Sequence, residues 1–227
     1  MTEREKILAR VRAALKTPAP RPGAHGEIHS PASAKTISTA RQWLPKVGER
    51  FEEQLALFAR NAAELKADFQ LPASRDELKT ALAKIANVEN WKRIASHRGE
   101  LTDLVSGALG LPICFTDKSY DVHELETCDA GISECDALIA QTGSVLVTNH
   151  SAGGRALSVL PPHHIVLARR EQLLADLPAA FELLKLLYAD NYPSMISFIT
   201  GPSRTGDIER ILVLGAHGPK QLTIFCL

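Results

Sequence analysis

The chain has 227 residues, of which 45% are hydrophobic and 23% are charged. This is the composition of a globular protein that can bury a sizeable core. Its 26 Lys and Arg side chains are balanced by 26 Asp and Glu side chains, so the formal net charge is zero. A protein dedicated to DNA or RNA needs a positive field against the phosphates, so we expect no nucleic-acid partner.

The cysteines and the apolar runs restrict the protein class further. The four cysteines are scattered: Cys114, Cys128, Cys135 and Cys226. Their spacing fits neither a C-x-x-C metal motif nor a disulfide framework. No apolar run approaches the roughly 20 residues that span a bilayer, and the N-terminus is charged where a signal peptide is apolar. We therefore predict a cytoplasmic protein with no integral membrane segment.

The N-terminal part is predicted to be helical and basic. Residues 2–5 (T-E-R-E) fit a capping box, and apolar residues recur at helical spacing from there to about Lys16. The Pro- and Gly-rich segment 17–33 predicts a linker or mobile arm. Steps of four and three residues indicate a second helix with one apolar stripe: Phe51, Leu55, Phe58, Ala62, Leu65 and Phe69. We group residues 1–70 as N-terminal helices and a Pro-rich arm.

Residues 71–227 show the alternation of an α/β domain. A capping box at 74–77 (S-R-D-E) begins a third helix, and short apolar runs then alternate with helical segments. Helices are predicted at 100–109 and 171–188, and strands at 94–96, 113–115, 143–147, 164–168, 195–200, 211–214 and 222–227. This alternation predicts an α/β domain whose sheet is mostly parallel or mixed, with helices on both faces.

The polar segment 201–209 (G-P-S-R-T-G-D-I-E) follows an apolar strand and is the first candidate site. Ligands of open α/β sheets bind beyond the carboxyl ends of strands, where loop amides favour anions. Ser203 and Thr205 can donate to a phosphate or carboxylate, Arg204 can bind it with two parallel hydrogen bonds, and Asp207 can cap a helix or orient Arg204. The alternative is a tight turn followed by a capped helical turn.

Three further segments contain titratable side chains. His217, within L-G-A-H-G-P-K at 214–220, titrates near neutrality and can act as a general base or anion ligand, or it can belong to a simple hairpin. Glu134 and Asp136 are two residues apart, so on a strand they share a face and can share a proton, whereas on a helix they diverge. The adjacent His163 and His164 enter a strand facing opposite ways, so joint binding of one metal is not expected.

Four motifs in order resemble the lactate utilization protein C family and its LUD domain. They are G-I-S-E-C-D-A-L-I-A-Q-T-G-S-V at 131–145, P-P-H-H-I-V-L at 161–167, I-T-G-P-S-R-T-G-D-I-E at 199–209 and G-A-H-G-P at 215–219. The resemblance covers about residues 70–227. It implies a fold similar to the ribose-phosphate isomerase and CoA-transferase group. It also implies a bacterial role in oxidising L-lactate to pyruvate beside two iron–sulfur proteins, whose clusters belong to those partners and not to this chain.

The resemblance also implies a shared site at the matching positions. We expect catalytic roles for Glu134, Asp136 and His217, and no bound metal. The ligand-binding positions are expected to be Thr142, Gly143, Gly201, Ser203, Arg204, Thr205, Asp207 and Gly218. The favoured function is a subunit of a lactate-utilization system that binds a small anionic ligand, and whether it is itself catalytic stays open. The alternative is a free-standing isomerase-like or acyl/CoA-transferase-like enzyme acting on a phosphorylated or CoA-linked metabolite.

Overall fold

The computed structural model describes residues 3–15, 45–205, 213–214 and 218–227. The chain divides into two compact units, residues 1–44 and 45–227. In the first unit, helix α1 (Glu3–Leu15) confirms the predicted N-terminal helix. Thr2 and the Pro-rich segment 17–33 lie outside the described residues.

The second unit contains the remaining elements. Its α-helices are α2 (Phe51–Glu64), α3 (Arg75–Val88), α4 (Glu100–Leu109), α5 (Val122–Glu126) and α6 (Leu177–Tyr188). Its strands are β1 (Asp68–Gln70), β2 (Ile94–Ser96), β3 (Ile113–Phe115), β4 (Ala130–Glu134), β5 (Ala137–Ile139), β6 (Ser144–Thr148), β7 (His163–Ala168), β8 (Leu173–Leu174), β9 (Ile196–Ile199), β10 (Arg204–Thr205), β11 (Val213–Leu214) and β12 (Gln221–Cys226). The two short strands β10 and β11 pair antiparallel.

The main sheet has six strands in the order β1-β12-β7-β4-β2-β3, and every neighbouring pair is parallel. The predicted α/β class with a mostly parallel sheet is thus confirmed. A second sheet of four strands has the order β8-β5-β6-β9, in which β6 runs antiparallel to both β5 and β9.

Apolar packing arranges these elements in layers. One face of the six-stranded sheet buries Ile132 and Ile165 against Leu82 of α3 and Val105 of α4. The opposite face packs on α2 and on the second sheet through residues that include Phe58, Val145, Val166 and Ile224. Helix α6 covers the outer face of the second sheet through Ala180 and Leu184. Both faces of the parallel sheet are covered, as its uninterrupted apolar strands require.

Two helices are shorter than their apolar patterns predict. The apolar stripe predicts a helix as far as Phe69, but α2 ends at Glu64, and Phe69 lies in β1. Lys66, with φ of 68°, turns the chain between α2 and β1. The ring of Phe69 still packs edge-on to that of Phe58, with the ring centroids 4.8 Å apart. The helix predicted over 171–188 begins at Leu177, where Asp176 caps the first turn and Pro178 follows. At the end of α2 and at the start of α6, tertiary contacts determine the helix boundary more strongly than the apolar periodicity does.

Helix α2 belongs to the second compact unit, although its sequence was grouped with residues 1–70. Phe58 and Ala62 are fully buried in the same apolar cluster as Leu138, Val166 and Ile224. Asn61 on this helix donates from Nδ2 to the carbonyl oxygens of Ala140 and Gln141, at 2.8 and 3.0 Å. The helix therefore helps to form the core between the two sheets.

Candidate functional site

A cavity of about 160 Å³ lies at the amino ends of β7 and β12. Its walls come from four parts of the chain: the turn before β7, the start of β7, the segment after β9 and the segment that enters β12. The lining residues are Ser158, Val159, His164, Ile199, Thr200, Gly201, Pro202, Ser203, Gly218, Pro219 and Leu222. Three predicted ligand-binding residues, Gly201, Ser203 and Gly218, thus meet at one cavity.

The end of the sheet at which this cavity lies differs from the expected one. The 201–209 loop is expected beyond the carboxyl ends of a parallel sheet, and it does follow the carboxyl end of β9. However, β9 belongs to the antiparallel second sheet. Its residues Gly201, Pro202 and Ser203 consequently lie beside the amino ends of β7 and β12 in the parallel sheet.

Close packing explains the glycines of the cavity wall. Gly201 has φ of 82°, and a Cβ there would lie 2.6 Å from the carbonyl oxygen of Leu65. A Cβ on Gly218 would lie 3.0 Å from Cβ of Ser203. The Ser203 amide donates to the Pro219 carbonyl at 2.9 Å, which joins the two segments. Glycine is required at 201 because only it combines this backbone angle with so close an approach.

His164 is the most deeply buried polar group of the cavity, with 1% of its surface exposed. Its Nε2 lies 2.9 Å from the hydroxyl of Ser133 on the neighbouring strand β4. Its Nδ1 is buried and has no hydrogen-bond partner among the described residues. Burial, and after it the charge of His163, lowers the pKa of His164 to about 3. The imidazole is therefore neutral at physiological pH.

His163 confirms that the two adjacent histidines face opposite sides of the sheet. Its Nδ1 lies 2.9 Å from Glu89 Oε2 and its Nε2 lies 2.9 Å from Thr223 Oγ1. Trp91 packs edge-on to the imidazole ring of His163, with the ring centroids 5.7 Å apart. Both nitrogens of His163 thus have protein partners, whereas one nitrogen of His164 has none within the described part of the chain.

Glu134 lies at the other end of the parallel sheet, at the carboxyl end of β4. Its Oε1 accepts from the Leu101 amide in the first turn of α4 at 2.9 Å, and its Oε2 accepts from Arg169 Nη1 at 3.1 Å. Its amide donates to His97 Nε2 at 3.1 Å. A Cβ on Gly99 would lie only 2.5 Å from Oε1, so glycine allows the carboxylate to approach the helix. This carboxylate does not line the cavity at β7 and β12.

Asp136 lies in the connection between β4 and β5 and has different partners. Its Oδ1 accepts from the Tyr188 hydroxyl at 2.7 Å, and its Oδ2 accepts from the hydroxyl of Ser151. The spacing of Glu134 and Asp136 is compatible with two arrangements: the side chains share one face of a strand, or they diverge on a helix. The structure shows a third arrangement, because β4 ends at Glu134 and β5 begins at Ala137. Each carboxylate is held by its own set of donors.

The remaining predicted site residues fall in four places. Thr142 and Gly143 lie in the β5–β6 turn against α2, where a Cβ on Gly143 would lie 2.8 Å from the Ala62 amide nitrogen. Arg204 is exposed and does not line the cavity, and its Nη2 lies 3.2 Å from the position of a Cβ on Gly201. The backbone of Thr205 is described in β10, but its side chain is not. Asp207 and His217 lie outside the described residues.

The sequence patterns do not single out His164 as a ligand group. A histidine pair at a strand entry indicates that one ring faces each side of the sheet. Which ring nitrogens have a protein partner depends on Glu89, Thr223 and Ser133, which are distant in sequence. Only the fold brings these groups together.

The fold and the cavity together define a class of protein. It is an α/β protein whose parallel sheet packs on a second, smaller sheet, with a small cavity between the amino ends of two parallel strands and the loop that follows β9. Within the described residues, no helix has both the length and the apolar composition needed to cross a membrane.

The chain belongs to the LUD domain family, whose model matches residues 55–227. This confirms the resemblance of its four motifs. Lactate utilization protein C of Shouchella clausii is 35% identical over 104 residues, which are 45% of each chain. Lactate utilization protein C of Halalkalibacterium halodurans is 36% identical over 100 residues, 43% of this chain and 44% of the relative. The chain spans less than half the length of these two relatives.

Among solved structures, a DUF162 family protein from Deinococcus radiodurans has a similar fold. The TM-score is 0.62 at 21% sequence identity, over 79% of this chain and 99% of the other. Among the sequence relatives, an uncharacterized protein of Neisseria meningitidis is 34% identical over 119 residues, which are 51% of this chain and 50% of the relative. The structural similarity supports the fold.

Proposed function

We propose that this chain is a subunit of a bacterial L-lactate utilization system, which oxidises lactate to pyruvate, and that it binds a small anionic ligand. Support for the lactate role comes from the relatives that carry the name lactate utilization protein C. The proposed partners are iron–sulfur proteins that hold the redox clusters.

The observation that carries the ligand proposal is the cavity at the amino ends of β7 and β12. Three of the motif residues, Gly201, Ser203 and Gly218, line it together with the buried His164.

The size and charge of the cavity favour a small anion. Its volume of about 160 Å³ lies below the roughly 300–1,000 Å³ of sites that enclose drug-sized ligands. It can enclose a metabolite of a few non-hydrogen atoms but not a whole nucleotide or coenzyme A. Arg204, which is exposed and follows the lining residue Ser203 in the chain, is the cation that we propose attracts the anion.

The alternative enzyme of isomerase or acyl/CoA-transferase type has less support. Such an enzyme needs a carboxylate that is free to act as a base or nucleophile. Both oxygens of Glu134 accept hydrogen bonds, from Leu101 and Arg169, and both oxygens of Asp136 accept from hydroxyl groups. Neither carboxylate lines the cavity in which Ser203 and Gly218 meet.

Deletion and complementation in the bacterium that encodes the chain test this function. We expect the deletion strain to grow poorly on L-lactate as sole carbon source and normally on glucose. The wild-type gene and an Arg60→Ala variant, which changes an exposed arginine on α2, should restore growth, and Arg204→Ala should restore it less well. Affinity purification of the tagged chain should recover proteins that contain iron and acid-labile sulfide. Normal growth of the deletion strain on lactate would overturn the proposal.

A further inference from the structure

Strand β9 forms one edge of the four-stranded sheet. Among the described residues it pairs with β6 alone, and Phe198 lies opposite Leu146. The Leu146 carbonyl accepts from the Asp136 amide at 2.9 Å, so the main chain of Leu146 faces the β5 side of β6. Antiparallel pairs alternate between bonded and non-bonded positions, so the amides and carbonyls of Ile196 and Phe198 point away from β6. The main-chain donors and acceptors of these two residues therefore face the free edge.

This edge has none of the usual protections against pairing with another chain. Exposed edge strands in proteins commonly contain a lysine, a proline or a bulge. The sequence of β9 is I-S-F-I, with neither a charge nor a proline. Its register with β6 runs through all four residues without an inserted one, so there is no bulge in it. Such an edge is a template for a further strand.

An apolar strip lies beside this edge, on the side of the sheet that α6 covers. Phe198 packs against the cluster beneath α6, and its ring centroid lies 5.5 Å from that of Phe181. Ile196 is two residues from Phe198 on the strand, so it faces the same side. Phe181 is 58% exposed and Ile196 is 37% exposed. A strand paired to β9 would cover both and remove apolar surface from water.

A second copy of the chain fits this edge because β9 complements itself. In an antiparallel pair of β9 strands centred on Ser197, Ile196 of each copy lies opposite Phe198 of the other. Their edge-facing amides and carbonyls then form bonded pairs, and their side chains meet on the α6 side as cross-strand neighbours. The same surface is used by both copies, which gives a closed two-fold dimer.

Two contacts show which part of α6 lies level with the centre of β9. Phe181 packs on Phe198, near the end of the strand. The Tyr188 hydroxyl lies 3.4 Å from Oγ1 of Thr148, which is opposite the first residue of β9. Helix α6 therefore runs antiparallel to β9, and the level of Ser197 falls between Phe181 and Tyr188.

The charges in this part of α6 suit a two-fold axis at Ser197. Glu182 and Lys185 lie there one turn apart, and both are exposed. The axis reverses the helix of the second copy, so Glu182 of one copy lies across the axis from Lys185 of the other. Unlike charges then face each other on both sides of the axis. This charge complementarity favours a second copy as the occupant of the edge.

We propose that the chain forms a two-fold dimer in which β9 pairs antiparallel with β9 of a second copy, centred on Ser197. The four strands of each copy then form one continuous sheet. The strip of Phe181, Ile196 and Phe198 becomes the apolar part of the interface. This inference goes beyond the proposed function, since it depends neither on a ligand nor on lactate.

Sedimentation velocity of the purified full chain at a series of micromolar concentrations tests the dimer. We expect twice the chain mass at the higher concentrations, and a dimer weakened at least about tenfold in Ile196→Lys, because lysine blocks an edge strand. Leu186→Lys is the matched control and should dimerise as the wild type does. Leu186 is exposed and five residues after Phe181, about 140° away around α6. A monomeric wild type, or equal dimerisation of Ile196→Lys, would overturn the inference.

A charge exchange on α6 tests the two-fold axis without changing β9. Glu182→Lys and Lys185→Glu should each weaken the dimer severalfold, because like charges then face each other across the axis. The double variant Glu182→Lys, Lys185→Glu should recover most of the wild-type affinity. Both residues are exposed, so we expect all three variants to fold. A double variant as weak as the two single effects combined would contradict the axis.

Cysteine cross-linking tests the register of the two strands. Residue 197 of each copy lies opposite itself at a non-bonded position, where the Cα atoms are about 4.5 Å apart, within reach of a disulfide. Oxidised glutathione should therefore link Ser197→Cys into a covalent dimer. In the control Ser194→Cys the two cysteines would be about 20 Å apart along the strands, so no link should form. The native cysteines are buried and should not link the wild type. Equal linking of the two variants would overturn this pairing.

The measurements also separate a second copy from another protein on the same face. If the chain is monomeric by itself and Ile196→Lys abolishes the recovery of an iron–sulfur partner in affinity purification, the strip binds that partner and the dimer is wrong. If the dimer forms with this register but the deletion strain grows normally on lactate, the dimer stands and the lactate role is wrong. Sedimentation and growth thus report on the two proposals separately.

Discussion

Arg169 donates from Nη1 to Glu134 Oε2 at 3.1 Å, and this ion pair joins the residue after β7 to the carboxyl end of β4. The other Nη of Arg169 lies 3.0 Å from Glu100 Oε2 in the first turn of α4. Glu134 also accepts from the Leu101 amide of that turn. The carboxyl ends of β4 and β7 and the amino end of α4 are thus held together by charged hydrogen bonds.

We expect Arg169→Gln to lower the free energy of unfolding by about 1–2 kcal/mol, because hydrogen bonds to charged groups contribute more than neutral ones. Glu134 has 15% of its side chain exposed and Arg169 has 28%, so water screens this pair only in part. Urea denaturation measures the change. Lys79→Gln is the control, since its partner Asp76 is 90% exposed and the pair is expected to contribute less than about 0.5 kcal/mol. Equal effects of the two substitutions would contradict this prediction.

Two glycine substitutions should change stability in opposite directions. Gly201→Ala forces a side chain into a backbone with φ of 82°, with its Cβ 2.6 Å from the Leu65 carbonyl, so we expect a loss of about 2 kcal/mol or more. Gly107 lies in α4, and nothing lies within 4 Å of its Cβ position, so Gly107→Ala should gain about 0.5–1 kcal/mol. Thermal unfolding of both variants tests the pair. A neutral Gly201→Ala would contradict the described packing of the cavity wall.

The double variant Ser133→Ala, His164→Leu should fold at least as well as the wild type. Both polar partners are replaced together by apolar side chains, so no buried donor or acceptor is left unpaired. The single variant Ser133→Ala removes only one partner and should be less stable than the double variant. Urea denaturation of the wild type and of both variants measures these differences. A double variant much less stable than Ser133→Ala would indicate that this pair serves stability.

The stability of the chain should fall in acid through His164. Burial first, and the charge of His163 second, lower its pKa from 6.5 to about 3. The unfolded chain therefore takes up a proton near pH 6.5 that the folded chain does not accept until about pH 3. The contribution is complete above pH 6.5 and is lost as the pH falls towards 3, with a slope of up to about 1.4 kcal/mol per pH unit.

Urea denaturation of the wild type and of His164→Gln at about pH 7 and about pH 5 measures this dependence. The variant has no titratable group at this position. The free energy of unfolding of the wild type should therefore fall more than that of the variant when the pH is lowered from about 7 to about 5. The other titratable groups are common to both proteins and cancel in the comparison. Parallel pH profiles for wild type and variant would show that His164 is protonated in the folded chain as readily as in the unfolded chain.

Much of the architecture was predictable from local patterns. Ser74 was expected to cap the third helix, and it accepts from the Glu77 amide at the start of α3. The strands of the parallel sheet are short apolar runs whose β-branched residues suit a surface buried on both sides. The four motifs in order were sufficient to recognise the LUD domain family. Such features depend on residues close together in the chain, where spacing and side-chain type determine structure.

The sequence alone determined the fold class, the family and three residues of the cavity wall: Gly201, Ser203 and Gly218. Only the tertiary structure decided that Glu134 lies at the opposite end of the sheet from them, because strand order and direction depend on contacts between distant segments. It alone also decided that His164 has a nitrogen without a described partner while His163 has two partners. Burial and pairing are set by what the whole chain packs around a side chain, and no local pattern contains that information.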